Sequence, residues 1–182
     1  MQVIWYTAMS MDGRIASADA DLGFLDSIGT QEGSPNEFPL FLQSLDAILV
    51  GASTLRWLLD GGHGWPHDDL PTWVATHDAA LLARVGPTRA RMRQVEGDLG
   101  KAFIEMEAAG HARVWLAGGG EVAGQALALD RVEEIIVTVA PTVLGAGPAL
   151  FDRKALPPRR FRLAECRALG GDAARLRWVR DR

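Results

Sequence analysis

The chain reads as an α/β protein: a mainly parallel sheet covered by helices on both faces and closed by an antiparallel C-terminal pair. Three features predict this. Short apolar runs such as "AILVG" (47–51) and "VWLAG" (114–118) alternate with stretches of helical spacing, and strands that alternate with helices pair in parallel. Those runs are apolar at consecutive positions, as strands buried on both faces require. Toward the end, "FRLAECRAL" and "AARLRWVR" flank Gly170, Gly171 and Asp172, which is hairpin chemistry.

The elements follow in order. "VIWYTAM", Val3 to Met9, is β-branched and aromatic and runs into the turn residues Asp12 and Gly13, so a first strand ends there. Residues 17–35 are rich in Ser, Asp and Gly and read as a loop of active-site size. Asn36 or Ser34 caps a helix over Glu37 to Leu45, with Phe38, Phe41, Leu42 and Leu45 at helical spacing and Pro39 in the first turn, where proline is tolerated. Ala47 to Gly51 is a buried strand, Thr54 to Leu59 a helix, "GGHGWPHDDLP" a loop and Thr72 to Thr76 a strand. A helical turn over Ala79 to Arg84 and a weak strand over Met92 to Val95 follow. Lys101 to Ala109 is helical, "VWLAG" a strand, Glu121 to Ala128 a helix, and "EEIIVTVAPTVLG" one long strand. No repeat, low-complexity tract or linker divides residues 1–182, which are read as a single domain.

Composition narrows the function classes. With 182 residues, 48% hydrophobic and 23% charged, the chain is long enough for a real core and too apolar for disorder. A net charge of -4 gives no reason to expect nucleic acid. The one cysteine, Cys166, excludes an intramolecular disulfide framework and a cysteine-rich zinc site. The opening "MQVIWYTAMSMDGRIA" lacks the character of a secretory leader, and no apolar run is long enough for a bilayer. A cytoplasmic protein with no membrane partner is therefore expected. His63 and His67 lie near Asp68 and Asp69, but Pro66 and the glycines break the helical spacing that paired ligands need, so no metal is assigned. Trp65 in that loop is a candidate lid, whereas Trp5, Trp73, Trp115 and Trp178 sit in strand-like runs and read as core.

Two strand-to-helix junctions carry the functional signal. Gly118, Gly119 and Gly120 lie where a buried strand turns into a helix, and a helix N-terminus offers free amides and partial positive charge to a diphosphate. Gly118, Gly120 and Gly124 also make a loose dinucleotide fingerprint, but that signature belongs on the first strand of its unit, with an acidic residue closing the next. At the second junction, Gly51 is followed by Ser53 and Thr54, hydroxyls suited to capping or to phosphate. Together the two junctions could hold opposite sides of one extended dinucleotide.

"SMDGRIA" (10–16), "DAILVGASTL" (46–55), "LAGGGEVAGQAL" (116–127) and "RVEEIIVTVAPTVLGAGPALF" (131–151) resemble the dihydrofolate reductase-like superfamily, above all the C-terminal reductase domain of the riboflavin-biosynthesis deaminase-reductase. The resemblance implies a twisted, mostly parallel sheet of about eight strands with helices on both faces. It implies NADPH as cofactor, a small heterocyclic substrate and a homodimer formed through the long strand near residues 133–143 or its neighbours. It places Ala8 and Ile15 at the nicotinamide, Gly51, Ser53 and Thr54 on one side of the pyrophosphate, and Gly118, Gly119, Gly120, Glu121 and Val122 on the other. Thr76 and His77 take the adenosine ribose and its 2′-phosphate, and the Gly118–Gly119 peptide is implied to be cis. Two positions depart from the pattern: Ala52 stands where the family often has arginine, and Asp78 beside the ribose site repels a phosphate. Arg56 and Arg84 are the cations that could compensate, so NADH stays open. The zinc signature of the deaminase half is missing from this chain.

A hydride transfer needs the cofactor held against the substrate and a proton for the resulting anion. Asp12, in the turn after the first strand, and Glu37, at the start of the helix after the long loop, are the acids nearest the expected cleft and are the candidate catalytic residues. The expected function is an NAD(P)H-dependent reductase of the riboflavin-pathway pyrimidine or dihydrofolate type. The alternative is a nucleotide-binding protein on the same scaffold without turnover.

Overall fold

The computed structural model describes residues 1–28, 37–169 and 172–181. The proposed caps Ser34 and Asn36 and the hairpin residues Gly170 and Gly171 lie outside the described residues. The elements are β1 (Gln2–Met9), α1 (Glu37–Gln43), β2 (Ala47–Gly51), α2 (Ala52–Asp60), β3 (Thr72–Ala75), α3 (Ala79–Ala83) and β4 (Met92–Val95). They continue with α4 (Leu99–Ala108), β5 (Arg113–Gly118), α5 (Gly120–Ala128), β6 (Val132–Val139), β7 (Phe161–Ala168) and β8 (Ala174–Arg180). Short 3₁₀ turns at Gly23–Ser27 and Gly86–Arg91 fall in segments without a clear sequence period.

All eight strands form one sheet in the order β4-β3-β2-β5-β1-β6-β8-β7. Pairing is parallel from β4 to β6, and β8 runs antiparallel between β6 and β7. The consecutive apolar residues of the central strands now have their explanation. Val3, Trp5, Leu49 and Leu116 point to one face and pack with Phe103 and Met106 of α4 and Ala123 and Ala126 of α5. Ile4, Ile48, Val50 and Val74 point to the other and meet Phe41, Leu55, Leu81 and Leu82. A strand with a core on each side cannot alternate apolar and polar residues. By contrast β7 is exposed along most of its length and, among the described strands, pairs with β8 alone; Arg162, Glu165 and Arg167 on it are charges of the kind that discourage pairing at a sheet edge.

Three expectations are corrected. The strand predicted over 133–145 ends at Val139, because Ala140 and Pro141 leave the sheet and the residues beyond bind the turn after β1 instead. Trp65 is no lid: it is buried in the second core beside His67, with ring centroids 5.4 Å apart. The described peptides, Gly118–Gly119 included, contain no cis bond; the sharp exit from β5 is achieved by φ +89° at Gly119, a conformation open to glycine and rarely to other residues. The position of β6 also constrains any dimer. Its backbone is paired to β1 on one side and β8 on the other, so a second copy could meet this strand only through side chains.

Candidate nucleotide-binding cleft

Because β2 and β5 are neighbours, with Val50 opposite Gly118, the helices that follow them start side by side. The junctions almost touch. A β-carbon on Gly51 would stand 2.9 Å from Val122 Cγ2 and 3.9 Å from Gly119 Cα, and one on Gly118 would stand 2.5 Å from Thr54 Oγ1. At Gly120 it would meet the Ala149 carbonyl at 2.2 Å. The glycines therefore let two helix N-termini and a third chain segment converge. Neither α2, whose cap residue is Gly51, nor α5, whose cap residue is Gly119, has a side chain capping its first amides. Those amides are left for water or a ligand.

Two cavities flank this point. One, about 440 Å³, runs from Gly51 and Ser53 past Thr76 and His77 to Asp78. The other, about 400 Å³, is lined by Ala8, Ile15, Thr54, Trp57 and Gly118, with Trp5 in its wall. Ser53, Gly119 and Glu121 border both, so the cavities meet where the helix N-termini do. The indole nitrogen of Trp5 is buried with no hydrogen-bond partner, a free donor in the wall of the second cavity. Uncapped helix amides between two cavities are the kind of arrangement that can take a diphosphate with a ring system on either side.

A strap from residue 142 to 152 holds the second cavity in shape. Met11 donates to the Thr142 carbonyl at 2.7 Å, Ile15 to Pro148 at 3.0 Å and Leu150 to Gly13 at 3.0 Å, while Asp152 donates to Gly120 at 3.0 Å. Gly147, at φ +120°, lies so close to the Ala16 carbonyl that a β-carbon would stand 2.1 Å from it. The "VLGAGPALF" motif thus ties the turn after β1 to the start of α5. Pro148 and Asp152, which line the second cavity, are among the site residues that sequence reasoning missed, with Ala16, Leu22 and Leu25 of the loop after β1; for the first two the glycine spacing around them was the available signal.

The two candidate catalytic carboxylates have definite places. Asp12 accepts from Ser10 Oγ at 2.6 Å, from the Leu144 amide at 3.0 Å and from the Gly145 amide at 2.8 Å. The Ser10 hydroxyl and these amides lower its pKa to about 2, so it is ionised at neutral pH. Glu37 accepts from Arg167 at 2.7 Å through each of its oxygens and from Arg175 at 2.8 Å. Hydrogen bonding to Arg167 holds its pKa below the ordinary value. Neither carboxylate lines either cavity. Of the other expected residues, Ala8, Ile15, Thr54, Gly118 and Gly120 line the second cavity, Gly51, Thr76, His77 and Val122 the first, and Ser53, Gly119 and Glu121 both. Arg56 borders the first cavity, 3.6 Å from Asp78, whereas Arg84 is held by Asp60 at 2.5 Å.

The eight-stranded, mostly parallel sheet with helices on both faces is the α/β fold of the dihydrofolate reductase-like class. A family model described as the RibD C-terminal domain matches residues 1–174, and the chain belongs to that family. A crystal structure of a Shewanella sp. PV-4 protein named for riboflavin biosynthesis superposes with a TM-score of 0.86 at 23% identity, covering 100% of both chains. A pyrimidine reductase-like protein of Corynebacterium diphtheriae gives 0.72 at 17% identity, over 100% of this chain and 92% of that one. In sequence, the chain is 28% identical over 159 residues to the uncharacterized protein YwjB of Bacillus subtilis (strain 168), which covers 82% of each.

Proposed function

We propose that this chain is a nicotinamide-nucleotide-dependent reductase acting on a small heterocyclic substrate, of the 5-amino-6-(5-phosphoribosylamino)uracil reductase type or the dihydrofolate reductase type. The observation that carries this reading is the convergence of two uncapped helix N-termini on one point between two cavities. When bound, the cofactor supplies a hydride from C4 of its nicotinamide. The chain supplies the rest. Amides at the starts of α2 and α5 hold the diphosphate, and the backbone of Ala8 orients the carboxamide. Ile15, Ala16, Leu22, Leu25 and Trp57 make an apolar wall that keeps water from the reacting carbon. Asp12 and Glu37, both ionised, act in this reading as positioning groups: Asp12 fixes the strap, and Glu37 fixes two arginines of the C-terminal hairpin. A homodimer in the cytoplasm completes the proposal.

Titrating the protein with NADPH and with NADH tests it through tryptophan fluorescence, because Trp57 lines the cofactor cavity and stacks on His63 with centroids 5.4 Å apart. Quenching that is reduced in Trp57→Phe, with Trp5 in the same wall as the remaining reporter, is expected; no response to either nucleotide overturns the reading. One observation favours a second reading, a nucleotide-binding protein without turnover: both expected proton relays are tied up in ion pairs or amide hydrogen bonds. Cofactor oxidation over a panel of pyrimidine and pteridine substrates separates the two.

A further inference from the structure

The adenosine end of the cleft has the wrong charge for a 2′-phosphate. Among the described residues lining the two cavities, Arg56 is the one Lys or Arg, against the carboxylates of Asp78, Glu121 and Asp152. Arg56 is half exposed and its guanidinium lies 3.6 Å from Asp78, a solvent-screened pair that leaves the carboxylate excess of the lining in place. Arg84 lines neither cavity and is drawn to Asp60. Asp78 cannot readily turn away, because its carboxylate caps α3 by accepting from the Leu81 amide at 3.2 Å. Its own amide donates to Thr76 Oγ1 at 3.0 Å, which fixes the backbone of this corner.

We infer that Asp78 makes this site selective for a nicotinamide dinucleotide with a free 2′-hydroxyl, so that NADH and not NADPH is the preferred cofactor. The inference rests on the reading of the cleft given above. A carboxylate accepts a hydrogen bond from a ribose hydroxyl, which is how acidic residues select NADH in other dinucleotide sites. A 2′-phosphate brings close to two further negative charges beside that carboxylate. A phosphate bound there would sit in the cavity that Asp78 and Glu121 line.

Dissociation constants for NADH and NADPH, measured by tryptophan quenching and by calorimetry, test the inference without any substrate. The wild-type protein is expected to bind NADH roughly tenfold more tightly than NADPH at low salt, a gap set by one unfavourable charge pair. The gap should narrow as salt screens that pair. Asp78→Asn keeps the α3 cap, because asparagine caps helices as well as aspartate does, and should shift the ratio toward NADPH. Tighter NADPH binding by the wild type, or a ratio unmoved by both salt and Asp78→Asn, overturns the inference and leaves the cleft assignment standing. Failure of both nucleotides to bind overturns the two together.

Discussion

Glu37, the first residue of α1, accepts a hydrogen bond from Arg167 of β7 through each of its two oxygens, both at 2.7 Å, while Arg175 of β8 approaches one of them at 2.8 Å and lies over the Tyr6 ring at 5.5 Å. The start of α1 is thereby fixed to the C-terminal strand pair. The pair is about a third exposed, so solvent weakens it. Glu37→Gln should cost about 1 kcal/mol, the upper end for a surface pair, measured by urea unfolding. Its effect on nucleotide affinity should be small, because Glu37 lines neither cavity.

Acid should lower stability through carboxylates whose pKa the fold depresses, Asp12 and Glu37 among them. The Asp12 pKa is lowered from 3.8 to about 2 and that of Glu37 is lowered from 4.5. A depressed folded pKa stabilises above the unfolded value and is lost as pH falls through the folded one. Stability should therefore decline below pH 4.5 and keep falling toward pH 2. In Asp12→Asn the decline between pH 3.8 and 2 should be shallower, as followed by thermal melts across that range.

Gly119→Ala should separate binding from folding. The strain of a β-carbon at φ +89° is on the order of 1–3 kcal/mol. The added carbon would stand 3.8 Å from Gly51 Cα, in the gap between the two junctions. Circular dichroism should remain native-like while nucleotide affinity falls by roughly tenfold or more, since the backbone can no longer approach the diphosphate.

Glu134 is the charged group most deeply placed in the sheet. It is 1% exposed and is satisfied by Arg177 at 2.5 Å and Gln2 at 2.8 Å. Arg177→Met leaves a buried carboxylate without its cation and should cost about 2–3 kcal/mol. Combining it with Glu134→Gln should restore part of that loss, because the unpaired charge is removed; a double-mutant unfolding cycle measures this coupling.

The sheet was legible because its central strands are buried on both faces and announce themselves as unbroken apolar runs, while "GG" and "DG" pairs mark the turns. The extent of β6 was not, since "APTVLG" continues the apolar character of "EEIIVTV" after Pro141 has left the sheet. Nothing local distinguishes a strand residue from a strap residue whose amides bind elsewhere. The glycine junctions could be found from their place between strand and helix, but not the contact between them, which depends on β2 and β5 becoming neighbours. For Asp12 and Glu37 the sequence supplied the residue type and the neighbourhood. Their arginine and amide partners lie about 130 residues away, beyond the reach of any local pattern.

The strap between residues 142 and 152 has a dynamic consequence. It is an irregular segment held by scattered hydrogen bonds to the turn after β1 and by one to the start of α5, outside the strand ladders, so it should open in fluctuations that leave the sheet intact. Any molecule seated in the second cavity would press on Ile15, Pro148 and Asp152 together and resist that opening. Slowed deuterium uptake at the Leu144 and Gly145 amides would then report occupancy of a cleft that those residues do not line.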